Sequence, residues 1–118
     1  MARYVDGFVL VVPKKNLPAY RKMAKLGARV WKDHGALEYV ECVGDDLATP
    51  FGTTFTKLAK AKRGETVCFS FIIYKSRAHR DAVNRKVMAD PRMGTAPSPM
   101  PFDMKRMSVG GFKTFVEA

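Results

Sequence analysis

The sequence predicts an α+β fold in which an antiparallel sheet carries two helices on one of its faces. The main observation is the segment 65–75, where apolar residues alternate onto both sides of an extended chain. Val67 and Phe69 would face one way, and Cys68 and Ile72 would face the other. Such a strand needs a layer on each side, which helices supply on one face and the sheet of a second subunit on the other.

A second observation is the length and composition of the chain. Its 118 residues, 47% of them hydrophobic, predict a single folded domain over residues 1–118. Cys42 and Cys68 lie in apolar runs without metal-ligand spacing, so we expect buried, reduced thiols. The apolar run 7–12 is too short to cross a bilayer and follows no basic region, so a cytoplasmic protein without a membrane span is expected.

The formal net charge of +10 raises the question of anionic partners. The basic residues of the first helical stretch recur three or four apart, opposite its apolar residues, which is typical of a solvated helix face. Nucleic-acid binding through this surface therefore remains only a lesser alternative. The residues concerned are Arg21, Lys22, Lys25, Arg29 and Lys32.

The first strand is predicted over residues 4–12, because a β-branched and aromatic run ends at Pro13. Asp6 falls on the same side as Phe8 and Leu10, so a carboxylate would lie on an apolar surface unless it finds a partner. Asp6 is therefore either one half of a structural ion pair or a functional acid.

The first helix is predicted to begin at Asn16, a good N-cap residue, and to end before Gly35, which suits the left-handed stop. His34 falls in its last turn, where a cation is favoured by the helix C-terminus.

A second strand is predicted over residues 37–43, with Tyr39 and Glu41 on one face and Glu38 on the other. Because Glu38 and Glu41 point to opposite sides, they do not form an acid–base pair by themselves.

The segment 53–62 combines helix-favouring lysines and alanines with strand-favouring threonines, and Arg63–Gly64 suits a two-residue turn. We predict a hairpin strand here that pairs with the segment 65–75. In that register Lys62 would lie opposite Glu65.

A second helix is predicted from the cap at Ser76 to about Ala89, where Asp90 and Pro91 stop it. The residues expected to face the sheet are Ala78, Ala82, Val83 and Val87, whereas those expected to face solvent are His79 and Asn84.

A proline-rich loop over 94–104 and a last strand over 107–116 complete the chain. Gly110 and Gly111 in that strand indicate a bulge or a close backbone approach. Two strand–helix–strand units in this order predict a ferredoxin-like sandwich with both helices on one face.

Five segments carry a resemblance to a known family, and they are Tyr4-Val-Asp-Gly-Phe8, His34-Gly-Ala-Leu37 followed by Val40-Glu-Cys42, Arg80-Asp-Ala82, Met88-Ala-Asp-Pro-Arg-Met93, and Met100-Pro-Phe-Asp103 with Lys105-Arg-Met107 and Gly110-Gly-Phe112. Through them, nearly the whole chain resembles the small bacterial YbaA-like family, a family of unknown function in the dimeric α/β-barrel superfamily. Met104 and the pair Ser108–Val109 depart from the glycine and the Ile-Tyr pair expected there. The resemblance implies a ferredoxin-like subunit that forms a homodimer by packing its sheet on that of a twin, but the superfamily hosts several unrelated chemistries.

Two functions remain open at this point: a dimeric module that binds a small ligand or a protein, and a cofactor-free enzyme of monooxygenase or isomerase type. Asp6 and Glu41 are the candidate catalytic residues, since a carboxylate held on an apolar surface can act as a general base. Tyr39, Asp103 and Arg106 are the candidate ligand-binding residues. A plainer interpretation is that Asp6 and Arg106 simply pair.

The sequence lacks the spacing of a nucleophile triad, a phosphate loop, a Rossmann turn or a metal site. We therefore predict no cofactor and no metal.

Overall fold

The computed structural model of the chain describes residues 2–95, 97 and 99–118. Within them, four strands form one antiparallel sheet in the order β2-β3-β1-β4. None of the described helices is long and apolar enough to cross a membrane. In chain order the elements are β1 (Tyr4–Pro13), α1 (Leu17–Asp33), β2 (Glu38–Val43), α2 (Phe55–Leu58), β3 (Glu65–Tyr74), α3 (Arg77–Met88) and β4 (Ser108–Lys113), with 3-10 turns at Lys14–Asn16, Pro91–Thr95 and Met104–Arg106.

The strand β3 is central, as its two apolar faces predict. On one edge it pairs with β1 over its full length, from Tyr74 opposite Tyr4 to Glu65 opposite Pro13. On the other edge it pairs with β2, where Val43 lies opposite Cys68.

The predicted hairpin strand over 53–62 is wrong. The short helix α2 lies there instead, and its N-cap Thr54 accepts a hydrogen bond from the backbone N–H of Lys57 at 3.2 Å. The physical reason is that β1 and β2 already occupy both edges of β3, so a further strand has no edge of β3 left to pair with.

Lys62 and Glu65 do not face each other across two strands, as expected, but lie in one turn. The backbone N–H of Glu65 donates to the Lys62 carbonyl, and the backbone N–H of Lys62 donates to the Glu65 carboxylate. The ion pair of Glu65 is with Arg106, whose Nη2 lies 2.7 Å from Glu65 Oε2.

The helix α1 has the predicted ends, but its N-cap works differently. Asn16 occupies the N-cap without a capping hydrogen bond from its side chain. Instead, its side-chain amide donates to the carbonyl of Pro101 at 3.2 Å. This bond ties the segment between α3 and β4, residues 89–107, to the start of α1, and we call that segment the late loop. At the other end, His34 is the C-cap and Gly35 follows with φ of 109°.

The helix α3 begins at the predicted cap, where Ser76 Oγ accepts from the backbone N–H of His79 at 3.1 Å. Val83 and Val87 are buried against the sheet as predicted, whereas Ala78, which was also predicted to face the sheet, is exposed in the first turn of the helix. The solvent-facing prediction for Asn84 is wrong, because its Oδ1 accepts from the Trp31 indole N–H at 3.2 Å. Asn84 lies one turn before Val87 and therefore shares the inward side of the helix.

The helices cover one face of the sheet and form the larger part of the core with it. This side buries Val30, Ile72, Tyr74, Val83 and Val87 in one cluster and Leu10, Val12, Tyr20, Ala24 and Cys68 in another.

The opposite face of the sheet is covered only at one end. There the segment between β2 and β3 packs Leu47 and Ala59 on the buried Val11 and Val67. The rest we call the open face; it carries Phe69 and Phe112, whose exposed fractions are 44% and 63%. Its apolar side chains are those of Val5, Val9, Val40, Phe69, Phe71, Ile73 and Phe112, and Glu38, Cys42 and Ser108 lie on the same face. Cys42, which we expected to be buried, is exposed there because it lies on the side of β2 that the helices do not cover.

The last strand is shorter than predicted, because β4 ends at Lys113. Of the glycine pair in this strand, only Gly111 meets the expectation of a close approach, and the register of β1 with β4 runs through both glycines without a bulge. A Cβ on Gly110 would lie 3.7 Å from the ring of Phe112, and one on Gly111 would collide with the side chain of Tyr4.

Candidate functional site

Two adjoining cavities lie between α1 and the helix-covered face of the sheet. The central cavity, of about 230 Å³, has the strand residues Phe8, Leu10 and Ser70 as its floor and Met93 and Phe102 in its wall. The edge cavity, of about 400 Å³, is lined in part by Leu17, Arg21, Lys25, Val43 and Cys68. Four residues line both cavities, namely Tyr20, Ala24, Tyr39 and Glu41.

The space exists because α1 presents small residues to the sheet. Ala24 lines both cavities, Gly27 lines the central cavity and Ala28 lines the edge cavity. Residues three and four apart share one side of a helix, so these short side chains leave a gap that larger ones would fill.

A polar cluster of Tyr20, Tyr39 and Glu41 stands where the cavities meet. Tyr20 donates its hydroxyl hydrogen to Glu41 Oε1 at 2.7 Å, and Tyr39 donates to Glu41 Oε2 at 2.8 Å. Both carboxylate oxygens act as acceptors, which is the role of the ionised group. We call these three residues the tyrosine–glutamate cluster.

The surroundings keep the phenols of this cluster protonated. Burial raises the pKa of Tyr20 and of Tyr39 well above the ordinary range, and the negative charge of Glu41 raises both pKa values further. Burial, followed by the charge of Glu41, raises the pKa of the nearby Cys68 thiol to about 11. At neutral pH the cluster therefore holds its hydroxyl hydrogens, and Cys68 is a neutral thiol.

Gly27 allows Tyr39 to reach Glu41. A Cβ on Gly27 would lie 3.0 Å from the hydroxyl oxygen of Tyr39, closer than most Cβ contacts. The ring of Tyr39 also packs on Trp31, with centroids 5.9 Å apart. A glycine inside a helix costs about 1 kcal/mol relative to alanine, and here the space for Tyr39 explains its presence.

The late loop closes the central cavity and is held at several points. The ring of Phe102 meets that of Tyr20 edge to face, with centroids 5.7 Å apart. Arg92 bonds Asp90 and Asp33 at 2.7 and 2.8 Å, while His34 Nε2 lies 2.8 Å from Asp90 Oδ2. The hydrogen bonds from Arg92 and then from His34 hold the pKa of Asp90 well below its usual range.

Asp6 lies under α3, away from the cavities. Its Oδ1 accepts from Arg80 Nη1 at 2.7 Å, and the Arg80 guanidinium lies 4.9 Å from the ring centroid of Tyr4. Burial raises the pKa of Asp6, and the charge of Arg80 opposes that rise. Asp6 is the carboxylate of a buried ion pair here.

The pairing of Asp6 with Arg106 is wrong. Arg106 bonds Glu65, which lies opposite Pro13 in the sheet, whereas Asp6 lies opposite Ile72. Seven residues of extended β1 separate the two positions, a distance of roughly 23 Å.

Arg106 instead joins two carboxylates near the start of β3. Its Nη1 and Nη2 reach the two oxygens of Glu65 at 2.8 and 2.7 Å, and its Nε reaches Asp103 at 3.0 Å. These hydrogen bonds lower the pKa of Glu65 to about 2. Asp103 and Arg106 therefore secure the loop before β4.

The structure thus brings together two of the five sequence candidates, Tyr39 and Glu41. The described residues that line the cavities do not include Asp6, Asp103 or Arg106. Tyr20 was missed, because its role depends on how α1 packs on β2. The small residues that follow it at helical spacing are the signal in the sequence that could have indicated the gap.

Across the described part of the chain, no group of three or more His, Cys, Asp or Glu side chains is arranged to hold a metal ion.

Comparisons with known proteins bear on the fold and the family. The fold is similar to the crystal structure of a dimeric ferredoxin-like protein from an uncultured marine organism, with a TM-score of 0.63 and 12% identity over 100% of both chains. This similarity confirms the ferredoxin-like fold. In sequence, the chain is 46% identical over 115 residues to the Uncharacterized protein YbaA of Escherichia coli strain K12 and of Shigella flexneri, with 98% of each chain covered.

A family model described as "Protein of unknown function (DUF1428)" matches residues 3–104. The match confirms the resemblance inferred from the sequence segments. The family match and the 46% identity to YbaA together show that the chain belongs to the DUF1428 family of proteins of unknown function.

Proposed function

We propose that the protein is a homodimeric module that binds a small, mainly apolar organic molecule between α1 and the sheet. The observation that carries the proposal is the pair of apolar cavities that meet at the tyrosine–glutamate cluster. Small-molecule sites are commonly clefts of roughly 300–1,000 Å³ with apolar walls and few polar groups. The central and edge cavities, of about 230 and 400 Å³, fit this description together.

The cluster suits recognition better than proton abstraction. Both oxygens of Glu41 already accept a phenolic hydrogen, so a ligand would share the carboxylate with Tyr20 and Tyr39 as a further hydrogen-bond donor. Asp6, the other carboxylate considered as a base, is bonded to Arg80 under α3. A binding module is therefore favoured over the cofactor-free enzyme.

Filling the cavities tests the binding site. Ala24→Leu places three further carbons where both cavities are lined, so we expect it to abolish binding of uncharged single-ring fragments, observed by ligand-detected NMR. Ala78→Leu, at an exposed position of α3, is the matched control and should bind as the wild type does. Equal binding to both variants would place the fragments elsewhere and overturn the proposed site.

The open face supports the homodimer. A contiguous set of apolar side chains on a sheet is unusual on a monomer and typical of a protein interface. The dimeric ferredoxin-like protein of similar fold is one precedent for such an assembly. In this chain the segment that carries Leu47 and Ala59 covers one end of the face, which leaves the part around Phe69 and Phe112 for the twin.

Light scattering tests the assembly. We expect the wild type to have the mass of two chains at micromolar concentration, and Phe69→Lys to shift it to one chain by placing a charge in the interface. Met88→Lys is the control, since Met88 is 66% exposed on α3, on the other side of the sheet. A stable wild-type monomer would refute the dimer, and a Phe69→Lys variant that remains dimeric would refute the open face as its interface.

A further inference from the structure

The strong hydrogen-bond donors of the tyrosine–glutamate cluster are already engaged within the protein. A tyrosine has one hydroxyl hydrogen, and both Tyr20 and Tyr39 donate theirs to Glu41. The indole N–H of the adjacent Trp31 is donated to Asn84. The remaining capacity of the cluster lies in lone pairs on two phenolic and two carboxylate oxygens, so it can accept further hydrogen bonds.

Ser70 adds a hydroxyl group that both donates and accepts. It lines the central cavity and lies opposite Glu41 in the pairing of β2 with β3. It is compatible with a ligand that donates to the cluster, because it can accept from the same group or donate to another one.

Charge around the cavities disfavours both kinds of ion. An anionic group at the cluster would meet the carboxylate of Glu41. A cationic group would have to pass Arg21 and Lys25, which line the edge cavity. In either case the ion would also lose its hydration between apolar walls, which is costly.

We infer that the ligand is a neutral, mainly apolar molecule with a hydroxyl group, which donates a hydrogen bond to the tyrosine–glutamate cluster. This inference rests on the proposed function, because it names the class of ligand for the same cavities. A phenol is the simplest probe: it is neutral at pH 7, it has one donor, and its ring suits walls made by Phe8, Trp31 and Phe102.

Four probes of the same skeleton test the inference: 4-ethylphenol, 4-ethylanisole, 4-ethylbenzoate and 4-ethylbenzylamine. Their dissociation constants are measured by calorimetry or NMR titration at pH 7. A hydrogen bond to a charged group implies that 4-ethylphenol binds about 10- to 100-fold more tightly than 4-ethylanisole, which has no donor. The benzoate and the benzylamine should bind more weakly than the phenol as well.

Two variants show whether the cluster causes that preference. Glu41→Gln replaces the anionic acceptor by an amide and should reduce the ratio of anisole to phenol dissociation constants toward one. Tyr20→Phe frees the Oε1 atom of Glu41 and should preserve or increase the ratio. Because Tyr20→Phe keeps the ring that packs on Phe102, it serves as the test if Glu41→Gln does not fold.

The possible outcomes test the donor inference separately from the proposed binding module. Equal affinity of the phenol and the ether would overturn the donor inference and leave the binding module standing. Tighter binding of either ion would also overturn it. Should none of the four probes bind, the inference fails, whereas the proposed function is decided separately by the Ala24→Leu fragment experiment.

Discussion

Arg80→Met removes the positive partner of a buried carboxylate. The side chain of Asp6 is only 7% exposed and that of Arg80 19%, and their atoms lie 2.7 Å apart. Breaking a buried ion pair by removing one partner costs about 3–5 kcal/mol. Asn84 and Tyr74 are polar neighbours that also lower the pKa of Asp6, and they survive the substitution, so we expect a loss of about 2–4 kcal/mol in the free energy of unfolding at pH 7.

The loss should depend on pH in a defined direction. Burial raises the pKa of Asp6 and the charge of Arg80 counteracts this, so the variant carries an even higher pKa at Asp6. Below the ordinary value of 3.8 the carboxyl group is protonated in both the folded and the unfolded chain. The destabilisation should therefore be largest at neutral pH and decline as the pH falls toward 4, leaving only the lost packing of the arginine stem.

Urea unfolding followed by circular dichroism measures these values, at one protein concentration because a dimer is stabilised by mass action. Arg85→Met is the control: it lies at an exposed position of α3 and should change stability by less than about 0.5 kcal/mol. Adding Asp6→Asn to Arg80→Met should restore most of the loss, since no buried charge then remains. A loss below about 1 kcal/mol at pH 7, or an equal loss at pH 4, would refute the reasoning.

Three further substitutions test the helix cap, the glycine pair and the late loop. Ser76→Ala removes the N-cap of α3 and should cost about 1 kcal/mol in urea unfolding; an unchanged midpoint would contradict this. Gly111→Ala places a methyl group against Tyr4 and should lower the free energy of unfolding by about 1–3 kcal/mol. Gly94→Ala is the control, because its methyl group meets no atom within 4 Å, and it should lower this free energy by less than about 0.5 kcal/mol. Similar losses in the two variants would show that the contact with Tyr4 is unimportant. The pKa of Glu65 is about 2, so its ion pair stabilises the fold fully above the ordinary 4.5 and progressively less as the pH falls toward 2. Glu65→Gln should accordingly flatten the dependence of stability on pH in that window, and parallel profiles for the wild type and the variant would count against the ion pair.

Local patterns were sufficient for most of the fold. The alternation around Phe69 and Ile72 predicts a strand that is apolar on both faces, because the strand period is two residues and needs no knowledge of the partner. The cap at Ser76 and the burial of Val83 and Val87 follow equally from short-range rules. The placement of Asp6 on the same side of the sheet as Phe8 and Leu10 was predicted by the same alternation.

Errors arose where distant segments compete. The residues 53–62 can form a hairpin locally, but β1 and β2 take both edges of β3 first. The partner of Asp6 was misassigned for a similar reason, since the choice between Arg80 and Arg106 depends on which end of β1 each arginine reaches.

The candidate site was predicted only as far as one strand. Tyr39 and Glu41 are two residues apart in β2, so their common side is written in the sequence. Tyr20 joins them from α1, and that contact depends on the rotation and height of a helix over the sheet. Neither quantity can be derived from the pattern of apolar residues, although Gly27 marks the place where the helix comes close to Tyr39.

The strand order has a consequence for synthesis on the ribosome. Tyr4 lies between Tyr74 on one side and Lys113 on the other, so β1 precedes both of its neighbours in the chain and gains the second only after β4 has been made. Until then its unoccupied edge and apolar side chains are available to other nascent or misfolded chains. Emergence of β4, rather than of β3, is thus the event that lets this sheet close around β1.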